Sequence, residues 1–119
     1  GKEVKQEDRP IYLVSLQVLS GKGTTPTATV TLNVSGEKHT VSATGNGPID
    51  AAFTAVKQII TKKVRLEEFL IQAITRGSDD LGKVHIQIDY KGSMYYGFSA
   101  STDIITASVE AFIDALSQI

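Results

Sequence analysis

The stretch TVTLNVSGEKHTVSATGNGPIDAAF, residues 29–53, carries the signals that define the fold. Residues 28–34 and 37–44 are rich in β-branched and apolar residues with partial alternation, and Ser35-Gly36 between them predicts a turn. Two glycines, an asparagine and a proline follow, and then apolar residues recur at helical spacing. The stretch therefore predicts strand, turn, strand and helix in that order.

The same pattern recurs 56 residues later in the chain. HIQIDY (85–90) falls on TVTLNV (29–34), and Leu13 falls on Phe69 when the register is kept throughout without a gap. Small residues coincide at the same spacing: Gly21 with Gly77, Gly36 with Gly92, Ala51 with Ala107, and Ala55 with Ala111. Coincidences at turns and at helix positions together indicate an internal duplication.

Each half is predicted to form three strands and a helix. The first half adds a strand at 12–19, and the second half has strands at 69–75, 83–90 and 94–100 and a helix at 104–117. Segment 64–70 has high helix propensity, but the repeat predicts a strand from about Glu68. Because three strands and one helix leave apolar surface uncovered, we expect an α+β fold of two βββα units, about 11–62 and 66–119, related by an internal pseudo-twofold repeat.

Composition excludes several classes of function. The 119 residues are 41% hydrophobic, which suits one domain, and the net charge of −1 disfavours nucleic-acid partners, RNA included, and anionic membranes. There are no cysteines, so disulfides and thiolate metal sites are excluded, and a cytoplasmic location is expected. No apolar run approaches the roughly 18 residues of a membrane span. Residues 1–10 contain six charged residues and a proline, as expected of a linker from a preceding region.

The helix start at residues 45–49 has two interpretations. Pro48 suits a first helical turn, which Asn46 or Gly47 can cap. Alternatively, Gly45 and Gly47 allow positive φ and close approach, so that the helix start holds an anionic ligand. At the equivalent place in the second half, Thr102 or Asp103 is expected to cap the helix, and Asp103 is expected to cap rather than catalyse.

The pattern of the remaining polar residues indicates no catalytic site and no metal site. His39 and His85 are isolated in the sequence, with no second ligand at metal spacing. Asp79-Asp80 lacks the alternating oxygen ligands of a calcium loop and is predicted to form a turn. No serine, histidine and aspartate are spaced as a nucleophilic triad. We therefore expect neither catalysis nor a metal ion in this chain.

Three motifs resemble the C-terminal regulatory domain of the α-isopropylmalate synthase family: GNGPIDAAF (45–53), QAITRGSDDLGKV (72–84) and YYGFSASTDIITASVEAFIDAL (95–116). The resemblance extends from about Ile11 to the end and implies one regulatory domain, 11–119, made of two βββα units. It also implies a separate catalytic (β/α)₈ barrel, which uses a divalent metal to join acetyl-CoA to a 2-oxo acid. The regulatory domain itself is implied to need no cofactor, to bind leucine for feedback inhibition and to form a homodimer.

The resemblance implies an effector site at residues that match the family motifs. These are Gly45, Asn46, Gly47, Pro48, Ile49, Leu66, Phe69, Ala73, Asp80, Gly82, Thr102, Asp103 and Ile104. Phe69 stands where many relatives carry tyrosine, so any hydrogen bond from that hydroxyl is lost. The apolar members can form a cup for a leucine side chain, while helix N-termini offer N–H groups to its carboxylate and Asp80 offers an acceptor to its ammonium.

Two other functions remain open on the sequence. Leucine and isoleucine are isomers, and shape discrimination in an apolar pocket is worth only about 1–3 kcal/mol. An isoleucine-sensing domain of a citramalate synthase therefore fits the same residues. A purely structural dimerisation module that binds no ligand is the third hypothesis.

Overall fold

The computed structural model describes residues 9–76 and 79–119, and for residues 74–76 and 79 only the backbone. Its elements are β1 Ile11–Leu19, β2 Thr27–Val34, β3 Glu37–Thr44, α1 Pro48–Ile59, β4 Arg65–Arg76, β5 Asp79–Tyr90, β6 Ser93–Ser101 and α2 Ile104–Leu116. The chain divides into two compact units between Ile60 and Thr61. Each unit is a three-stranded antiparallel sheet in chain order, followed by one helix. The prediction of an α+β fold with two βββα units is thus confirmed.

In the first unit, the central strand and the helix make the core. Alternation along β2 turns Ala28, Val30 and Leu32 inward, where they are buried, and turns the threonines between them outward. Helix α1 packs on β2 and β3 and touches β1 only slightly. Its buried side chains are Ala51, Ala52, Phe53, Ala55 and Val56. The small alanines let the helix approach the sheet closely.

The second unit repeats this arrangement with a larger buried helix surface. Val84, Ile86 and Ile88 alternate inward along β5. Helix α2 packs on β5 and β6, and it makes no contact with β4 among the residues that the structure describes. The buried polar residue Ser108 donates its hydroxyl to the Ile104 carbonyl, 2.7 Å away. Strand β4 is therefore an edge strand whose helix side is not covered by α2.

Both units contain the same two-residue hairpin. Ser35 and Gly36 have φ of 50° and 90°, and Lys91 and Gly92 have φ of 53° and 86°. Two consecutive positive φ values match the type I′ turn that the twist of a hairpin favours, and glycine adopts the second at no steric cost. Asn33 in the first unit and Asp89 in the second accept a hydrogen bond from the glycine N–H. The predicted turn at Ser35-Gly36 is confirmed.

The gapless repeat predicted from the sequence is wrong for the first strand of each unit. Strands β2 and β5 correspond at 56 residues, yet Leu16 pairs with Val30 whereas Phe69 pairs with Ile86. Leu16 and Phe69 are thus equivalent, at a spacing of 53. The β-bulges obey the same spacing, because Val14 is the extra residue in β1 and Glu67 is the extra residue in β4. The β4–β5 hairpin therefore carries three more residues than the β1–β2 hairpin.

Strand β4 also begins earlier than predicted. It starts at Arg65 rather than at about Glu68, because Arg65 pairs with Asp89 and Leu66 pairs with Ile88 across the ladder. The Arg65 side chain bonds Glu67 at 2.6 Å and Asp89 at 3.5 Å. The pairing with β5 and the contact with Asp89 override the local helix propensity of this segment.

Candidate functional site

The start of α1 is held in place by backbone contacts, and its N-cap provides no side-chain acceptor. Gly47 is the N-cap and Pro48 occupies the first turn. The Asp50 carboxylate accepts a hydrogen bond from the Asn46 N–H at 2.8 Å. The Gly45 N–H donates to the Pro26 carbonyl at 3.1 Å. No side-chain cap is formed at Gly47, and the carboxylate of Asp50 in the first turn lies at this helix start.

Gly45 and Gly47 do not act through positive φ, contrary to our expectation. Gly47 has an extended backbone with φ of −163°, and neither glycine is among the described residues with positive φ. Gly45 is needed for close packing, since a Cβ there would lie 2.5 Å from the Ala51 nitrogen. At Gly47 the same built Cβ has no described heavy atom within 4 Å. The open space at Gly47 is where another molecule can approach the helix start.

The start of α2 is capped from within the unit. Asp103 is the N-cap, and its carboxylate accepts hydrogen bonds from the Ile105 N–H at 3.0 Å and the Thr106 hydroxyl at 2.7 Å. The Ser101 hydroxyl accepts the Asp103 N–H at 3.1 Å. Thr102 is exposed beside them. Asp103 is thus a capping residue as predicted, and the two equivalent helix starts differ in the acceptor that satisfies them.

Strand β4 places the apolar candidates on one face. Leu66 pairs with Ile88, Phe69 with Ile86 and Ala73 with Gly82, and cross-strand partners share a face of the sheet. This is the face on which α2 covers β5 and β6 but leaves β4 open. Leu66 is 45% exposed, Phe69 is half-buried and Ala73 is exposed. The structure therefore gathers these three residues into an apolar strip beside α2.

Ile71 belongs to the same strip, although the family motifs did not point to it. It pairs with the buried Val84 and is 41% exposed. The signal was available in the sequence, because Phe69, Ile71 and Ala73 alternate along the strand. The bulge at Glu67 also turns Leu66 to this face, and that shift is invisible without the pairing register.

Gly82 and Ile104 meet at one end of the strip. A Cβ built on Gly82 would overlap the Ile104 side chain, so a glycine is required for Ile104 to pack against β5. Asp80 lies two residues before Gly82, on the same face and exposed. Leu66 pairs with Ile88, and Asp80 lies eight residues before Ile88 on β5, which is roughly 25 Å along the sheet. One amino acid therefore cannot contact both residues.

The predicted site residues fall into two groups, one in each unit. Gly45, Asn46, Gly47, Pro48 and Ile49 form the α1 start in the first unit, and the other candidates lie in the second unit. Among the described residues no cluster of three or more histidine, aspartate or glutamate side chains could hold a metal ion.

Hydrogen bonding to Glu67, and then the charges of Glu67 and Asp89, raise the pKa of Arg65, so that this side chain stays cationic.

Comparison with known proteins decides the family. The model of the family described as LeuA allosteric (dimerisation) domain matches residues 1–119. The chain belongs to this LeuA family. It is 55% identical over 109 residues to a 2-isopropylmalate synthase from Parabacteroides distasonis, 39% over 118 residues to one from Crocosphaera subtropica, and 37% over 113 residues to one from Hydrogenovibrio crunogenus.

The LeuA domain is a small part of those relatives. The matches cover 91%, 98% and 95% of this chain but only 22% of each relative. Within the described residues, neither helix is long and apolar enough to cross a membrane. The two βββα units thus make up a LeuA allosteric (dimerisation) domain.

Proposed function

We propose that this chain is the regulatory domain of a 2-isopropylmalate synthase and binds leucine as a feedback inhibitor. The observation that carries the proposal is the family match over residues 1–119, joined to 55% identity with a relative named 2-isopropylmalate synthase. An end product that binds the regulatory domain lowers activity when it favours the inhibited state of the enzyme.

In the first unit, the start of α1 is the element proposed to hold the leucine carboxylate. No side chain at the N-cap position, Gly47, bonds the first-turn amides. The helix dipole favours a negative charge at this N-terminus. The space beside Gly47 admits the ligand. Asp50 already accepts the Asn46 amide and therefore keeps this turn in position.

The second unit, considered by itself, offers the strip on β4 as its own proposed contact for a branched aliphatic effector. Leu66, Phe69 and Ile71 expose apolar surface that α2 leaves open. Covering such surface with a branched aliphatic group gains roughly 25 cal/mol per Å² removed from water. Phe69 offers an apolar ring without a hydroxyl, which suits an aliphatic ligand.

The other activities of the parent protein are proposed to lie outside this chain. A catalytic barrel with a divalent metal would join acetyl-CoA to 2-oxoisovalerate in the cytoplasm, and this chain would supply no catalytic residue and no cofactor. The chain is proposed to contribute to a homodimer, as its family description includes dimerisation. The effect of bound leucine on the catalytic barrel would then be transmitted through conformational changes in the regulatory domain.

Isothermal titration calorimetry of the chain with leucine, isoleucine and valine tests the proposal. We expect saturable heat with leucine and weaker binding of the other two, by roughly 10-fold or more for about 1–3 kcal/mol of shape discrimination. A preference for isoleucine would instead indicate a citramalate-type sensor. The absence of heat and of any thermal shift at millimolar concentrations would leave only a structural dimerisation module.

A further inference from the structure

The face of the second sheet that points away from α2 carries large exposed apolar side chains. We call it the outer face, and its members include Leu70, His85, Met94, Tyr96 and Phe98. Tyr96 is 61% exposed and Phe98 is 46% exposed. His85 pairs with both Leu70 and Phe98 across the strands, and its ring centroid lies 4.9 Å from that of Phe98.

The equivalent face of the first sheet is polar along β2 and β3, and its β1 edge carries Tyr12 and the exposed Leu19. Thr40 and Ser42 occupy the positions that correspond to Tyr96 and Phe98 at the 56-residue spacing. The Thr31 and Thr40 hydroxyls are hydrogen-bonded at 2.8 Å, and those of Thr29 and Ser42 at 2.7 Å. The fold therefore accepts a hydroxyl-lined face in contact with water, and apolar side chains on the outer face of the second sheet are not required for folding.

The outer face also has a concave region beside its projecting rings. A hollow of ≈ 290 Å³ is lined by Glu68, Leu70, His85, Ile86, Gln87 and Tyr96. Tyr96 borders the hollow, and Phe98 follows two residues further along the same strand. The outer face therefore combines exposed rings on β6 with a concave region toward β4.

We propose that the outer face of the second sheet is the surface through which two copies of this chain pair. The inference rests on the proposed function, because the occupant is a second copy on the ground that the family is a dimerisation domain. Two sheets would stack face to face about 10 Å apart, with the aromatic rings between them.

Charge along the central strand favours one symmetry of the pair, and the Asp89 carboxylate at one end also lies 3.5 Å from the Arg65 guanidinium of its own chain. The outward residues of β5 run from Lys83 at one end to Asp89 at the other. Consider a twofold axis that lies midway between the two stacked faces, parallel to them and perpendicular to the strands. This axis places Lys83 near Asp89 of the partner subunit. An axis parallel to the strands would instead oppose like charges, which is unfavourable. The first arrangement also places Phe98 opposite Tyr96 of the partner subunit.

The size of the outer face sets the expected affinity. Three strands at about 4.8 Å spacing and four outward rows cover roughly 300 Å² of sheet plane. That area is below the roughly 800 Å² per partner of a standard interface. We therefore expect a reversible dimer with a dissociation constant in the micromolar range, and 1–500 µM is a suitable range for the measurement.

Sedimentation of Phe98→Glu against Ser42→Glu tests the surface. Both changes put a carboxylate at equivalent positions of the two sheets. We expect Phe98→Glu to raise the dimer dissociation constant by at least roughly 10-fold and Ser42→Glu to leave it within about 3-fold of the unsubstituted chain. Equal dissociation constants for the two variants, with the unsubstituted chain dimeric, would overturn the outer-face inference alone.

A mixing experiment removes misfolding as an explanation. In the proposed symmetry, Phe98→Lys in one chain faces Tyr96→Glu in the other, so each variant alone should pair more weakly than an equimolar mixture, which should form a heterodimer. Two misfolded chains would not recover assembly on mixing, and failure of two folded variants to pair would contradict this symmetry. An unsubstituted chain that is monomeric up to 500 µM would contradict dimerisation itself, while leucine titration separately reports the regulatory role.

Discussion

Single glycines decide how closely each helix approaches its sheet. A Cβ on Gly45 would lie 2.6 Å from the Asp50 carboxylate, so glycine there permits the bond between that carboxylate and Asn46. In the second unit, a Cβ on Gly97 would overlap the Ala111 carbonyl of α2. Gly47 differs from both, since its Cβ direction is open. A side chain at Gly47 is therefore a probe of ligand access and not of packing.

Gly47→Val is expected to weaken leucine binding at least roughly 10-fold with little loss of stability, because its extended backbone accepts valine and only the approach to the α1 start is blocked. Calorimetry measures the affinity. Gly21→Val is the matched control, since its Cβ would have Thr24 as nearest neighbour at 3.8 Å. Gly36 is unsuitable as a control because its φ of 90° would strain any valine. Equal leucine affinity in the two variants would remove the α1 start from the site.

Phe69→Ala is expected to weaken leucine binding while the second unit stays folded. The ring is half-buried on an edge strand outside the cover of α2, so its loss should cost less than the roughly 3–5 kcal/mol of a core phenylalanine. Titration with leucine and urea denaturation measure the two effects. Leu16→Ala changes the equivalent register position of the first unit and serves as the control. Global unfolding of Phe69→Ala would show that the ring belongs to the core.

At the scale of elements, the two helices occupy equivalent positions, with 12 residues in α1 and 13 in α2, but they begin differently. α1 begins at Gly47 and Pro48 without a side-chain cap, whereas α2 begins at Asp103 with two hydrogen bonds to its carboxylate. After the duplication, the start of α2 is capped by a side chain of its own unit, and the start of α1 has no side-chain cap. An available start is the element on which a carboxylate ligand would be held.

Asp103→Ala is expected to lower the free energy of unfolding by about 1 kcal/mol, because the Ile105 amide loses its acceptor. Asp103→Asn should keep most of that stability, as asparagine is an equally good N-cap. Denaturant unfolding of both variants measures the difference. Equal losses in the two variants would mean that the charge of Asp103, and not its acceptor oxygen, stabilises α2.

At the scale of the whole molecule, the two units keep one topology while their surfaces diverge. The central strands and helices align at 56 residues, and the first strands align at 53. The outer face of the first sheet carries paired hydroxyls, and that of the second carries Tyr96 and Phe98. A duplicated fold thus presents paired hydroxyl groups on one sheet and exposed aromatic rings on the other.

Saturating leucine is expected to raise the melting temperature of the chain. At a ligand concentration of 100 times the dissociation constant, binding to the folded state alone adds about 2.7 kcal/mol, or roughly 10 °C for a chain of this size. Differential scanning calorimetry with and without leucine measures the shift, and D-leucine is the control for a nonspecific solute effect. An equal shift with both enantiomers would contradict a stereospecific site.

Local sequence patterns predicted much of the candidate site. They did not predict that its residues fall into two groups, one in each unit. GNGPIDAAF predicted a helix start, and the structure has α1 beginning at Pro48. The positive φ expected at Gly45 and Gly47 was wrong, because close packing and open space, which depend on distant residues, explain these glycines instead. Ile71 was missed because it lies outside the family motifs, although its alternation with Phe69 and Ala73 indicated that it shares their face.

The sequence by itself determined the order of strands and helices, the hairpin turns and the duplication. These follow from side-chain periodicity and turn preference, which act over a few neighbouring residues. Only the tertiary structure decided the register of β1 and β4, the three additional residues in the β4–β5 hairpin, and the strip that α2 leaves open. The physical reason is that register and coverage depend on contacts between segments far apart in the chain, where a bulge at Glu67 redirects the side chains before it.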